Sequence, residues 1–153
     1  MNYLAIDLGA GSGRVIVASY EGSTFDLDVV HRFPTPTVSD PDTGLHWDFG
    51  IIWEEILKGL KLASEKTGGD IKSIGVDTWG VDYALLDGND ELIGNPFHYR
   101  NSRNDTMVEE MCHRVPREEI FRHTGIQFMQ INTAPQLVAR PSTTNSPRPG
   151  RSS

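Results

Sequence analysis

The chain has 153 residues, 37% of them hydrophobic, and a formal net charge of -7. This suits a folded domain with a real core and excludes general nucleic-acid binding, which needs a basic footprint. One cysteine, Cys112, rules out an internal disulfide and fits a reducing compartment; with no basic leader before the first apolar run and no bilayer-length apolar stretch, a cytoplasmic protein without membrane association is expected.

The first element is the apolar run Tyr3-Leu4-Ala5-Ile6, which ends in Asp7 and three alternate glycines, Gly9, Gly11 and Gly13. This pattern predicts a buried strand followed by a tight turn whose backbone lets another group approach. Backbone N–H groups of such a turn make a concave anion site, to which Ser12 can add a hydroxyl and Arg14 a charge-assisted contact. The spacing excludes a dinucleotide fingerprint, since Arg14 stands where its third glycine belongs, and a P-loop, since Gly-Lys-Ser/Thr is absent. The β-branched run from Val15 predicts a second strand, hence a hairpin. A plain hairpin tip has the same signature. Asp7 favours phosphate, because a carboxylate at a strand end facing phosphates can hold magnesium through water.

Phe25, Leu27, Val29, His31 and Phe33 alternate with more polar positions, predicting a third strand with one buried face and His31 as a hydrogen-bonded core residue. Pro34, Pro36 and Pro41 predict a polar loop as far as Gly44. Asp48 is placed to cap a helix, with Trp47 and Ile52 as its hydrophobic staple. Ile52, Ile56, Leu60 and Ala63 mark the buried face, and Gly68-Gly69 the end.

Residues 71–77 read as a fourth strand and 81–86 as a fifth, turning through Asp87-Gly88-Asn89-Asp90. Between them, Trp79 and Gly80 are bracketed by Asp77 and Asp82. A ring face, carboxylates that accept hydroxyl protons and an accessible backbone suit a polyol, although Trp79 could equally be a buried plug. The polar run from Tyr99 and Arg100 to Arg103 suits a loop over the same ligand or a helix start. Met107, Val108 and Met111 predict a helix to about Arg114 that includes Cys112 as a small packed side chain, and Pro116 begins another that ends before Gly125. Residues 126–133 read as a connecting piece that enters a helix near Gln136-Leu137. Residues 141–153 have no aliphatic or aromatic side chain, which predicts a disordered tail.

Several of these blocks together carry a resemblance: Ile6-Asp7-Leu8-Gly9-Ala10-Gly11-Ser12-Gly13-Arg14, His31-Arg32-Phe33, Trp47-Asp48, the stretch from Ser73 through Asp77-Thr78-Trp79-Gly80-Val81-Asp82, Tyr99-Arg100 and Gly125-Ile126-Gln127-Phe128. From about Leu4 to Leu137 the chain resembles the FGGY carbohydrate kinases, and within them the branch that phosphorylates L-rhamnulose. The first turn and the Asp-Thr-Trp-Gly-Val-Asp block are its most specific parts. The resemblance implies an α/β, ribonuclease-H-like (actin-like ATPase) domain with a mixed sheet, incomplete over residues 1–140, and transfer of the ATP γ-phosphoryl group to the sugar.

By position, it implies that Ala10, Gly11, Ser12, Gly13 and Arg14 line the ATP phosphates, that Asp7 faces the magnesium and that Gly80 touches the sugar. Trp79, Asp82, Tyr99 and Arg100 join the sugar site by position and chemistry. Gly11 stands where the family commonly has serine, a change of small for small. The family's general base, an Asp in a His-Asp-Thr motif, has no counterpart here, so no catalytic residue is assigned and the chain alone is expected to be inactive. Besides an amino-terminal part of a sugar kinase, a non-catalytic fragment and an actin- or chaperone-type ATPase domain are open readings. The Asp77-to-Asp82 block favours the kinase over the ATPase.

Overall fold

The computed structural model describes residues 1–140, so the tail expected over 141–153 lies outside the described residues. The chain divides into two compact units, one through Ser102 and one from Arg103 onward.

The first unit is built on strands β1 (Asn2–Leu8), β2 (Ser12–Glu21) and β3 (Thr24–Pro34). They form an antiparallel meander, as the hairpin reading predicts. A small hairpin, β4 (Thr37–Asp40) and β5 (Gly44–Trp47), follows where a polar loop was expected. The prolines flank β4 and do not interrupt it, and the Asp40 carboxylate closes its turn by accepting from the backbone N–H groups of Asp42 and Thr43. Helix α1 (Phe49–Thr67) then crosses over to β6 (Ile71–Thr78), which pairs parallel to β1. The sheet order is β3-β2-β1-β6, a mixed sheet.

Helix α1 obeys its sequence signals. Asp48 caps it by accepting from the Ile51 N–H, and Gly68 ends it in the left-handed conformation that glycine adopts without strain. Ile52, Ile56 and Ala63 face the sheet and meet Leu4, Ile6, Val15, Val17 and Phe33 in the core. Gly59 permits the close approach, because a β-carbon there would stand 2.3 Å from Val15 Cγ2.

Strand β3 corrects the sequence reading. Val15 pairs with His31 but Ile16 with Val29, so Val30 is an extra residue that shifts the alternation. The bulge turns Val30, His31 and Phe33 towards α1 and leaves Phe25 and Leu27 on the opposite face, 61% and 66% exposed. His31 Nε2 lies 2.7 Å from Glu55 Oε2 on α1, the hydrogen-bonded role expected of it. Lys58 and His31 hold the Glu55 carboxyl below the usual range.

The fifth strand expected over 81–86 does not form. Gly80 turns the chain with φ +50°, the Asp82 side chain is drawn to two indoles, and only an isolated bridge, Leu86 to Leu92, spans the predicted turn.

The second unit contains α2 (Met107–Arg114), α3 (Arg117–Thr124) and α4 (Thr133–Val138), with a 3-10 turn over Ser102–Asn104 at its start. Gly125 ends α3 in the left-handed conformation, as predicted. Helix α4 begins slightly earlier than the sequence suggests. Its Gln136 is fully buried and donates to the Ile131 carbonyl at 3.0 Å. The connecting piece packs through Phe128, whose ring lies 4.0 Å from the Arg117 guanidinium carbon.

Candidate active site

Because β1 and β6 run parallel, with Leu8 opposite Thr78, the glycine turn and the Trp79-Gly80 segment leave the sheet at one edge. Two stretches separated by some seventy residues thus become neighbours. Their adjacency follows from the crossover through α1, which the parallel connection requires.

At the turn, the Gly9 N–H donates to the Ser12 carbonyl at 3.1 Å, and the Thr35 hydroxyl donates to the Gly9 carbonyl at 2.9 Å. Ala10 and Gly11 form the exposed tip. None of Gly9, Gly11 and Gly13 has positive φ, so torsion requires none of them, and space restricts Gly9 and Gly13 but not Gly11. A β-carbon at Gly13 would collide with the Phe33 ring, whereas nothing lies within 4 Å of one at Gly11. The tip therefore offers unobstructed backbone to an incoming group.

Behind it, Arg14 Nη1 donates to Asp7 Oδ2 at 2.5 Å, with both side chains about one-third exposed. Arg14 Nε is buried without a hydrogen-bond partner among the described residues. An orphaned guanidinium donor beside an open backbone turn fits an anion such as a phosphate. Asp77 pairs with Asp7 across the two parallel strands, which sets two carboxylates on the same sheet face at its edge. Magnesium bound mostly by water and phosphate oxygens needs no more protein carboxylates than these.

The Trp79 side is an aromatic assembly. Trp47, buried at 2% exposure, stacks between Trp79 at 4.4 Å and His98 at 4.2 Å, and His98 lies 4.4 Å from Tyr99. Asp82 Oδ2 accepts from both indoles, Trp47 Nε1 at 2.5 Å and Trp79 Nε1 at 3.0 Å. The carboxylate thereby fixes the orientation of Trp79. His98 Nδ1 accepts from the Arg100 backbone N–H, so the neutral ring carries its proton on Nε2. Burial holds His98 below the usual histidine range; the Asp82 charge opposes this and Arg100 reinforces it. The Arg100 guanidinium carbon lies 5.3 Å from the Tyr99 ring centre.

A cavity of about 210 Å³ opens between these elements, lined by Leu8, Trp47, Phe49, Ile52, Thr78, Trp79, Gly80, Asp82, Tyr83, Ala84 and Pro96. Among the sequence-predicted residues, Trp79, Gly80 and Asp82 line it, while Tyr99 and Arg100 belong to the ring stack beside it. In the sequence Trp47 reads as a helix staple and as part of the Trp47-Asp48 block, and His98 carries no signal of its own. Their neighbours in sequence, Asp48 and Tyr99, were the available signal, but the stack depends on bringing β5 against residues 79–82.

The pattern of the FGGY family of carbohydrate kinases, N-terminal domain, matches residues 2–138. The rhamnulokinase of Mannheimia succiniciproducens is 43% identical over 141 residues, covering 91% of this chain and 29% of that protein. The rhamnulokinase of Oceanobacillus iheyensis is 41% identical over 136 residues, covering 89% of this chain and 28% of that protein. The chain thus spans under a third of the length of these relatives. Among solved structures, ligand-bound xylulose kinase from Lactobacillus acidophilus superposes with TM-score 0.74 at 16% identity, covering 94% of this chain and 28% of that one. Plasmodium falciparum glycerol kinase with ADP gives 0.65 at 16% identity, covering 89% and 28%. At such identities the likeness is one of fold, the actin-like ATPase fold of sugar kinases.

Proposed function

Because the chain belongs to the FGGY family of carbohydrate kinases, we propose that it is the amino-terminal part of a cytoplasmic kinase that phosphorylates L-rhamnulose with ATP. The names of its most similar relatives support this substrate. The observation that carries the reading is the parallel pairing of β1 with β6, which sets a phosphate-type turn beside a polyol-type block at one sheet edge.

In this reading Ala10, Gly11, Ser12, Gly13 and Arg14 line the nucleotide phosphates, and Asp7 faces the magnesium through water. Gly80 gives the sugar access to backbone, Trp79 offers it a ring face oriented by Asp82, and Tyr99 and Arg100 border the site. ATP, when bound, supplies the phosphoryl group. Such transfer depends on positioning and charge stabilisation, with a base to orient the attacking hydroxyl. The chain has no His-Asp-Thr triplet to furnish the family's base. By itself it binds and does not transfer.

Calorimetry on the full chain tests this. Weak ATP binding that requires magnesium is expected, and Asp7→Ala with Arg14→Ala should cost about 1–3 kcal/mol, the scale of charge-assisted contacts. Affinity unchanged in the double variant would remove the turn from the site. With ATP and L-rhamnulose together, no sugar phosphate should exceed background. Robust turnover would mean that a carboxylate present here, such as Asp77 or Asp82, acts as the base.

A further inference from the structure

The turn through Tyr99 and Arg100 is fastened to the β4–β5 hairpin at both ends. The His98 N–H donates to the Leu45 carbonyl at 3.1 Å, and Nδ2 of the buried Asn101 donates to the carbonyls of Thr43 and Leu45 at 2.8 and 3.0 Å. The Asn101 N–H closes the turn on the His98 carbonyl at 2.8 Å. Between these anchors the Arg100 peptide depends on a side chain, because its N–H donates to His98 Nδ1 at 2.9 Å. A backbone N–H is a donor at every pH, so this bond exists only while Nδ1 carries no proton. Protonation of the ring sets two N–H groups against each other.

The other contacts of the ring do not share this dependence. His98 is 5% exposed, stacks on Trp47 at 4.2 Å and lies 4.4 Å from Tyr99; a positive ring against an aromatic face is attracted to it. Burial is the largest influence on the ring and disfavours its charge; Asp82, from the segment after β6, favours the charge and Arg100, from the turn itself, opposes it. His46, the titratable side chain of β5, turns instead to Phe97 and Thr43. Charge on His98 therefore spares the stack and breaks the hold on the Arg100 peptide. We propose that His98 is a pH-sensitive latch: its neutral ring holds the Arg100 peptide, and protonation frees that peptide while both ends of the turn stay anchored. The latch needs no bound sugar; under the sugar-site reading it makes the placement of the exposed Arg100 depend on pH.

NMR titration of the full chain from about pH 7.5 to 4.5 tests the latch. The Arg100 amide should shift with the same midpoint as the His98 ring protons. Its protection against hydrogen exchange, relative to the intrinsic rate at each pH, should fall about fivefold to tenfold, the scale of one net hydrogen bond. Two variants separate the acceptor from the ring. His98→Asn offers an oxygen to the N–H two residues on without a titrating group, so Arg100 should stay protected across the range. His98→Phe keeps a ring against Trp47 without an acceptor, so Arg100 should have lost the same protection already at the upper end of the range. An Arg100 amide that ignores the His98 titration in the unaltered chain would overturn the latch, whether or not either variant folds. Protection retained in His98→Phe, or the parental pH response persisting in His98→Asn, would overturn it as well. No sugar or nucleotide enters these measurements, so their failure would leave the proposed function standing.

Discussion

Gly13 lies so close to Phe33 that a β-carbon added to the glycine would stand 2.4 Å from two atoms of the ring. The contact joins the base of the glycine turn to the hydrophobic core, because Phe33 is 2% exposed and sits under α1. Movement of the ring would disturb the turn, and a side chain at Gly13 would disturb the ring.

The two inner glycines of the turn should therefore respond differently to alanine. Gly13→Ala is expected to destabilise the fold by about 1–3 kcal/mol, the usual cost of overpacking. Gly11→Ala meets nothing within 4 Å and should stay within about 0.5 kcal/mol of the parent. Urea unfolding curves of the two variants decide the matter, and equal midpoints would contradict it. Gly11→Ala should nevertheless weaken ATP binding if phosphate oxygens approach the tip.

Asp82 holds Trp47 and Trp79 on one oxygen. Replacement by alanine leaves two indole donors without their acceptor, one of them on a buried ring. A loss of about 1.5–3 kcal/mol per charge-assisted bond sets the scale, reduced by whatever water replaces. The change should also shift the tryptophan emission spectrum. An unaltered spectrum and midpoint in Asp82→Ala would show that the stack keeps its arrangement unaided.

The bulge at Val30 makes two aromatic and aliphatic positions of one strand unequal. Phe33→Ala should cost about 3–5 kcal/mol, as for other buried aromatics. Leu27→Thr, on the exposed face at 66%, should change stability by no more than about 0.5 kcal/mol. If both were costly, the regular alternation expected from sequence would be correct and the bulge would be wrong.

His98 predicts a pH dependence. Burial lowers its affinity for a proton in the folded state relative to the ordinary value of 6.5, so the unfolded chain binds the proton first as pH falls. Its contribution is complete above about pH 6.5 and diminishes below it, with a slope of at most about 1.4 kcal/mol per pH unit. Thermal melts between pH 7.5 and 5.5 should show this decline, and His98→Phe should flatten it. A variant with the same decline would assign the effect to other groups.

Much of the architecture was legible in the sequence because the signals are local. Periodicity, Asp48 and Gly68 delimited α1, Gly125 closed α3, and the glycine turn between two β-branched runs implied a hairpin. The residues expected at the sugar site included three that line the cavity, since Trp79, Gly80 and Asp82 are near neighbours in the chain. What tertiary structure alone decided is the rest of that wall and the face of β3. Val30 carries no mark of a bulge, because one extra residue is defined only against the register of β2. Trp47 reads as a helix staple until β5 brings its ring between Trp79 and His98, and residues 81–86 read as a strand until Asp82 is claimed by two indoles. Local pattern specifies which backbone a segment prefers, but which side chains share a site depends on contacts between distant segments, and those exist only after the chain has closed on itself.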